Sequence, residues 1–280
     1  MLVIKDNAYG CGQNQILDIS YQLGFRFYCV TKNYDATRIV SRYDDVIVLI
    51  LGKEKMISST KRIFLTVEDE SDFDYCRKNK MPFHYKIKSR MNRFGGVINE
   101  QIIKDSLCLG IYSHIGYYEV SRIKEELARF KTKISIFDHK LVHIGGSHLI
   151  GIENRLNLRV GMAIYNNSVY IKGNIVKTFK LKRNESIGYN DSYVAKKDIT
   201  VGIIDVGYNS GLSSILFHRC YIKGNYYKTI GIKCMDFCFV EINDKIEVGD
   251  ETEFLGPHIS IEELERIENK SRYELYVNLK

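Results

Sequence analysis

Lys5 stands where an apolar run gives way to a turn, in Val3-Ile4-Lys5-Asp6-Asn7-Ala8-Tyr9-Gly10. In a fold of repeated strand–helix units, the C-terminal ends of the strands are where active sites are built. A lysine held there, partly out of water, can lose its proton and condense with an aldehyde as a Schiff base. A solvated strand-end lysine is the plainer reading of the same residue. Other groups invite the same weighing. His114 and His143 read alone as hydrogen-bonded histidines of a barrel, Met162 and Met235 as core filler, and Tyr189 as one of 20 tyrosines. Cys234 and Cys238, with His218 and Cys220 nearby, resemble a metal set, but their spacing matches no zinc pattern and no metal is expected.

The elements that must position these groups follow from the apolar periodicity. Up to about residue 165, short strand-like runs alternate with helix-period segments, the pattern of βα units around a parallel sheet. The expected strands are Leu2–Lys5, Phe27–Val30, Val46–Leu51, Ile63–Val67, Phe83–Ile87, Leu107–Tyr112, Ile134–Phe137 and Met162–Tyr165. Ile16, Ile19 and Leu23 fall on one helical face ahead of Gly24, and Val120, Ile123, Leu127 and Phe130 do the same later. A barrel and a doubly wound sheet both satisfy this pattern. Beyond about residue 168 the runs become alternating and β-branched: Val169–Ile171, Ile175–Phe179, Tyr193–Ala195, Val201–Val206, Tyr226–Lys233 and Phe239–Ile242. They predict a mostly antiparallel β domain. Ser260 and Glu263 form a capping box for one short closing helix with Ile261, Leu264 and Ile267 on one face. The expected domains are 1–167 and 168–280.

The 280 residues carry 41 Lys+Arg against 34 Asp+Glu, a net charge of +7, with 45% apolar and 12% aromatic residues. That composition excludes a disordered chain, collagen and a small disulfide scaffold. Seven scattered cysteines read as reduced thiols of a cytoplasmic protein. The apolar run Val46–Leu51 is far short of the ~20 residues of a membrane-spanning helix, so no membrane partner is expected. Lys86, Lys88, Arg90 and Arg93 cluster, as do Lys177, Lys180, Lys182 and Arg183, and Tyr221 to Lys228 interleaves aromatics with lysines. These stretches could follow a phosphate backbone. Acidic residues are spread through the same regions, however, so solvated faces are the better reading and no nucleic-acid partner is expected.

Read in order along the chain, a series of segments resembles the pyridoxal-phosphate-dependent alanine racemase family. They are Val3 to Gly12, His84-Tyr85-Lys86-Ile87-Lys88-Ser89-Arg90-Met91-Asn92-Arg93-Phe94-Gly95, Tyr112-Ser113-His114 and His143-Ile144-Gly145-Gly146-Ser147. Then follow Arg159 to Tyr165, Ser186 to Tyr189, Val206-Gly207-Tyr208-Asn209-Ser210-Gly211, Cys234-Met235-Asp236 and Arg272-Tyr273-Glu274. Together they span nearly the whole chain.

The resemblance implies an α/β fold: a (β/α)8 TIM-type barrel, incomplete at its N-terminus, followed by a mostly β C-terminal domain. It implies pyridoxal 5'-phosphate as cofactor, a small amino-acid substrate, and a homodimer with shared active sites. On this resemblance Lys5 binds the cofactor covalently and serves as a base on one face of the substrate Cα, while Tyr189, from the second subunit, works on the opposite face. Racemisation needs two such bases, one to remove the α-proton and one to return it with inverted geometry. Arg159 matches the arginine facing the pyridine nitrogen, which stays unprotonated because a guanidinium does not give up its proton. His114 matches the imidazole packed on the ring, and His143 a supporting histidine. Tyr9, Ser147, Tyr273 and the amides of Gly161 and Met162 match the phosphate site. Arg93 and Met235 match the groups that hold the substrate carboxylate. Lys86 matches a lysine carbamylated in many members, and Tyr208 and Asp236 sit near the mouth of the site. The implied reaction is interconversion of L- and D-alanine for cell-wall D-alanine supply.

Some positions depart from the family pattern. Cys11 stands where a histidine is usual, Gly146 where an asparagine is usual, and Lys88 and Arg90 replace an aspartate and a glycine. The family's opening strand and helix do not precede Lys5. A barrel opening at Leu2–Lys5 is expected to lack one outer helix and to leave apolar surface uncovered. The alternative reading is a truncated or non-catalytic cofactor-binding relative.

Overall fold

The computed structural model describes all residues except 56–59, 138–139, 167, 211–217 and 279–280. It divides into two compact units, Met1–Ile164 and Tyr165–Lys280.

The first unit is built on eight parallel strands in sequential order: β1 (Leu2–Val3), β2 (Phe27–Val30), β3 (Ile47–Ile50), β4 (Ile63–Val67), β5 (Phe83–Lys86), β6 (Cys108–His114), β7 (Leu141–Gly145) and β8 (Asn157–Arg159). The two edges meet. Val3 N–H donates to Val160 O at 2.8 Å and Val160 N–H to Met1 O at 3.0 Å, with a parallel bridge between Leu2 and Val160. β3 and β4 are almost wholly buried apolar runs, as strands covered on both faces must be. Leu2, Val3 and Ile4 are buried as well, so the apolar surface expected to lie open at β1 is covered within the chain.

Between the strands lie helices whose buried faces follow the 3.6-residue period. Asn33–Arg42 buries Ala36, Ile39 and Val40. Glu70–Lys78 buries Phe73 and Cys76, and its first turn is capped by Asp69, which accepts the Asp72 N–H at 2.9 Å. Val120–Ile134 buries Ile123, Leu127 and Phe130 as expected, although Val120 is exposed.

Other expectations need correction. The helix Gln13–Gln22 buries Gln13, Leu17 and Ser20, while Ile19 and Leu23 face solvent. Gln13 is drawn inward by a bond from its Nε2 to Ile4 O at 2.7 Å, and this rotates the helix off its most apolar face. Ile134–Phe137 is not a strand; Ile134 ends the preceding helix, and the strand is β7. Met162–Tyr165 is a short helix that follows β8. Both segments are apolar runs too short for periodicity to separate strand from helix.

The second unit contains a closed six-stranded barrel in the order β12-β15-β14-β13-β16-β9. Its strands are β9 (Ile171–Leu181), β12 (Ile199–Ile204), β13 (Arg219–Ile222), β14 (Asn225–Ile230), β15 (Cys238–Ile242) and β16 (Glu251–Leu255), every pair antiparallel. β10 (Ser186–Ile187) and β11 (Tyr193–Val194) form a separate ribbon. Val201 and Ile230 lie in a cluster with Leu181, Ala195 and Ile199. β9 joins two runs read as separate strands, and β13 and β16 escaped the sequence reading. The Ser260 cap is present, its side chain accepting the Glu263 N–H, and starts the helix Ile261–Glu268. A second helix, Arg272–Val277, follows with Ser271 as its cap.

Candidate active site

The C-terminal ends of the first unit's strands gather most of the residues singled out above. Lys5 follows β1 with its side chain one-third exposed, and its Nζ lies 3.4 Å from Asp6 Oδ2. The next residues, Asp6, Asn7, Ala8 and Tyr9, all have φ between 52° and 57°. Successive non-glycine residues in this left-handed region cost about 1–2 kcal/mol each, and such strain persists only where the surroundings impose it. Here Asn7 Oδ1 accepts the Gln13 N–H at 2.9 Å, and Gly10 ends the turn at φ 87°. The turn carries Tyr9 back against the end of β8. A Cβ on Gly161 would lie 2.4 Å from Tyr9 Oη, so a side chain there would push that hydroxyl aside.

Ser147 meets the same segment. Its Oγ accepts N–H bonds from Gly161 at 3.3 Å and Ala163 at 3.1 Å. Two hydroxyls and a glycine backbone thus converge beside buried Met162, a donor set suited to an anion. Gly146, unusual in the family pattern, has φ 138°, and a Cβ there would lie 2.6 Å from the His148 ring. An asparagine at this position would be strained and would displace the His148 ring.

The barrel interior holds a polar chain. Arg159, 4% exposed, donates through Nη1 to His143 Nδ1 at 2.6 Å and through Nη2 to Ser113 O at 2.7 Å. His143 Nε2 lies 2.7 Å from His84 Nδ1. Tyr112 stacks on His143 with ring centroids 4.9 Å apart and shares a 2.7 Å hydrogen bond with Thr66. Burial, helped by the Arg159 charge, pushes His84 and His114 down to about 3 and His143 well below its usual value. The imidazoles are therefore neutral. A Cβ on Gly145 would lie 2.4 Å from both Arg159 Nη2 and His114 Nδ1, which puts His114 beside the guanidinium.

Lys86, 6% exposed, points its Nζ between the rings of Phe94 and Tyr112, at 5.0 and 5.7 Å from their centroids. Burial and the charges of Arg93 and Arg159 lower it to about 8. Arg93 is exposed on the loop after β5. His84 and Tyr112 belong to this polar chain although the sequence expectations give them no role. The signal was there: His84 and Lys86, and Tyr112 and His114, alternate on the inner face of their strands with period two.

In the second unit, Tyr208, Met235 and Tyr189 lie on segments that are tied together. Tyr208 N–H donates to Cys234 O at 3.2 Å and Asn209 N–H to Met235 O at 2.9 Å, while Ile232 N–H donates to Ser192 Oγ at 2.8 Å beside the Tyr189 turn. Tyr189, Tyr208, Met235 and Asp236 are exposed, with Tyr189 at 62%, and Tyr273 is half-buried. Gly211 lies outside the described residues.

A parallel α/β barrel with a buried arginine–histidine chain and a lysine after its first strand, followed by an antiparallel β barrel, defines a two-domain α/β-barrel protein. The family model "Alanine racemase, N-terminal domain" matches residues 1–168 and "Alanine racemase, C-terminal domain" matches 168–280, so the chain belongs to the alanine racemase family. It is 26% identical to an alanine racemase of Borreliella burgdorferi, with 99% of this chain and 87% of the relative covered, and 27% identical to one of Aquifex aeolicus, with 99% and 88% covered. The fold matches the alanine racemase of Clostridium difficile 630 with a TM-score of 0.85 at 21% identity, covering 100% of this chain and 86% of the other. It also matches alanine racemase from Bartonella henselae with covalently bound pyridoxal phosphate, with a TM-score of 0.86 at 21% identity, covering 99% and 89%.

Proposed function

We propose that this protein is a pyridoxal-phosphate-dependent alanine racemase that interconverts L- and D-alanine and acts as a cytoplasmic homodimer supplying D-alanine for cell-wall peptide. The observation that carries this reading is the buried Arg159, which ends the strand neighbouring the one that leads to Lys5 and is bonded to a neutral His143. The donor set fits the cofactor: Tyr9, Ser147 and the Gly161 backbone suit its phosphate, and Lys5 its aldehyde. Pyridoxal phosphate, when bound, supplies an electron sink that makes the substrate α-proton acidic.

The chain's own residues do the rest. Lys5 Nζ takes or returns the α-proton on one face. Tyr189 Oη of the partner subunit does so on the other, and its exposure in the single chain suits that role. Arg159, always protonated, offers hydrogen bonds but no proton, which tempers the sink and favours racemisation over deeper bond cleavage. Arg93 and Met235 are assigned to the substrate carboxylate, with Lys86 beside Arg93, His114 and His143 as supports, Tyr273 and Met162 at the phosphate, and Tyr208 and Asp236 at the mouth. Retention of both bases with Arg159 disfavours the non-catalytic alternative. No helix among the described residues is long and apolar enough to cross a membrane.

The test is racemisation of L-alanine, within a panel of amino acids, alongside the visible absorbance of the bound cofactor and its fixation on Lys5 by borohydride. Lys5→Ala and Tyr189→Phe should each abolish turnover. Cofactor binding without racemisation of any amino acid would defeat the proposal.

A further inference from the structure

Arg93 lies on a loop between β5 and the helix Glu100–Lys104, and its guanidinium has no ion-pair partner among the described residues. The loop is anchored beyond the arginine. Lys88 N–H donates to Gly96 O and Gly96 N–H to Lys86 O, both at 2.9 Å, so the chain doubles back on the end of β5. A Cβ on Gly95 would lie 2.6 Å from Lys88 N, and one on Gly96 would lie 2.0 Å from Glu68 O. The segments therefore meet backbone to backbone, which only glycine permits.

Glu68, at the end of β4, is the side chain at this junction. Its Oε2 accepts the Gly95 N–H at 2.5 Å, and its Oε1 meets Lys53 Nζ at 3.0 Å. With its side chain only 15% exposed, this is a shielded, charge-assisted hydrogen bond. Tyr85 Oη donates to Val97 O at 2.5 Å, holding the next residue but one. Lys53 is bound independently by Asp69 at 3.2 Å and by Asp72. Glu68, Asp69 and Asp72 lie close enough together to hold a cation, and the Lys53 ammonium is that cation.

We propose that Glu68, oriented by Lys53, is a positioning residue for Arg93: it fixes the backbone two residues beyond the arginine and so sets where the guanidinium meets a substrate carboxylate. The inference rests on the reading of Arg93 given above. An arginine–carboxylate contact exists in both bound substrate and transition state, so displacing it raises KM more than it lowers kcat.

Alanine racemisation by the cofactor-loaded enzyme is compared for wild type, Glu68→Ala, Glu68→Gln, Glu68→Asp and Asp69→Asn, with melting temperature and cofactor absorbance as checks on folding and loading. Glu68→Ala should raise KM about tenfold with kcat held within about threefold. Glu68→Gln keeps an oxygen for the Gly95 N–H and should recover most of the loss. Asp69→Asn keeps the helix cap, does not touch the loop, and should match wild type. Should Glu68→Ala not fold, Glu68→Asp, which withdraws the acceptor by one methylene, reads the same rise in KM. An unchanged KM in these variants, or a loss confined to kcat, overturns this inference alone. A wild type that binds the cofactor yet racemises nothing overturns the proposed function, and this inference with it.

Discussion

Arg159 donates to His143 Nδ1 across 2.6 Å, and this one bond decides the tautomers of two imidazoles. Because Nδ1 of a neutral His143 must accept, its proton sits on Nε2 and is donated to His84 Nδ1. His84 in turn carries its proton on Nε2, which is buried with no hydrogen-bond partner.

Removing His143 therefore leaves a buried guanidinium short of an acceptor and opens a cavity. His143→Ala should cost about 3 kcal/mol of stability. Denaturant unfolding reads the loss directly, and a variant as stable as wild type would show that Arg159 had found another acceptor.

Acid should unfold the protein through its buried histidines. His84 and His114 are held at about 3 against 6.5, and His143 well below 6.5, so in that window the unfolded chain binds protons that the folded chain refuses. Stability is then lost as pH falls from 6.5 toward 3, each histidine adding up to about 1.4 kcal/mol per pH unit. Stability curves against pH should flatten by one such increment in His84→Phe, whose ring would stand near Phe27 and Phe64.

Lys86 should act in the alkaline range. Its folded value of about 8 lies below the ordinary 10.5, so between them the unfolded chain again binds more protons and stability rises with pH. In carbon-dioxide-free buffer, Lys86→Met should lose this rise and be no less stable than wild type at pH 7. Added 13C-bicarbonate should give a carbamate resonance in wild type that Lys86→Met lacks.

Gly145 is a tight point of the site. Gly145→Ala would press a methyl against Arg159 and His114, at a cost of about 1–3 kcal/mol. Thermal melts and the cofactor absorbance should both shift; a spectrum identical to wild type would mean that the two side chains give way freely.

Sharing of sites between subunits can be tested by complementation. Lys5→Ala and Tyr189→Phe are each expected to be inactive. If Lys5 and Tyr189 act from different subunits, refolding them together in equal amounts restores one intact site per mixed dimer, about a quarter of wild-type activity. Persistent inactivity of a verified mixed dimer would count against the shared site.

Much of this was legible in the chain itself. Apolar runs located β2 and β4 to the residue, and a serine with a glutamate three positions on announced the Ser260 helix, because these signals are local: burial on both faces and satisfaction of a free N–H. The ordered segments likewise pointed to Lys5, Arg159 and the histidines. What composition and periodicity left open, only the folded chain decides. His84 and His143 are 59 residues apart, and Glu68 and Gly95 are 27 apart. Their bonds exist because strand pairing sets the segments after β4 and β5 side by side, and the curvature of the sheet turns β5 and β7 toward one interior. Ile19 and Leu23 turn to solvent because Gln13 has a partner at Ile4. The left-handed run through Asp6–Tyr9 runs against local preference and stands because its surroundings outweigh the strain. The sequence alone determined which residue types were available and the order of the elements that carry them. Their tautomers, their lowered proton affinities and the contacts that orient them depend on burial among distant neighbours, and that is a property of the tertiary structure.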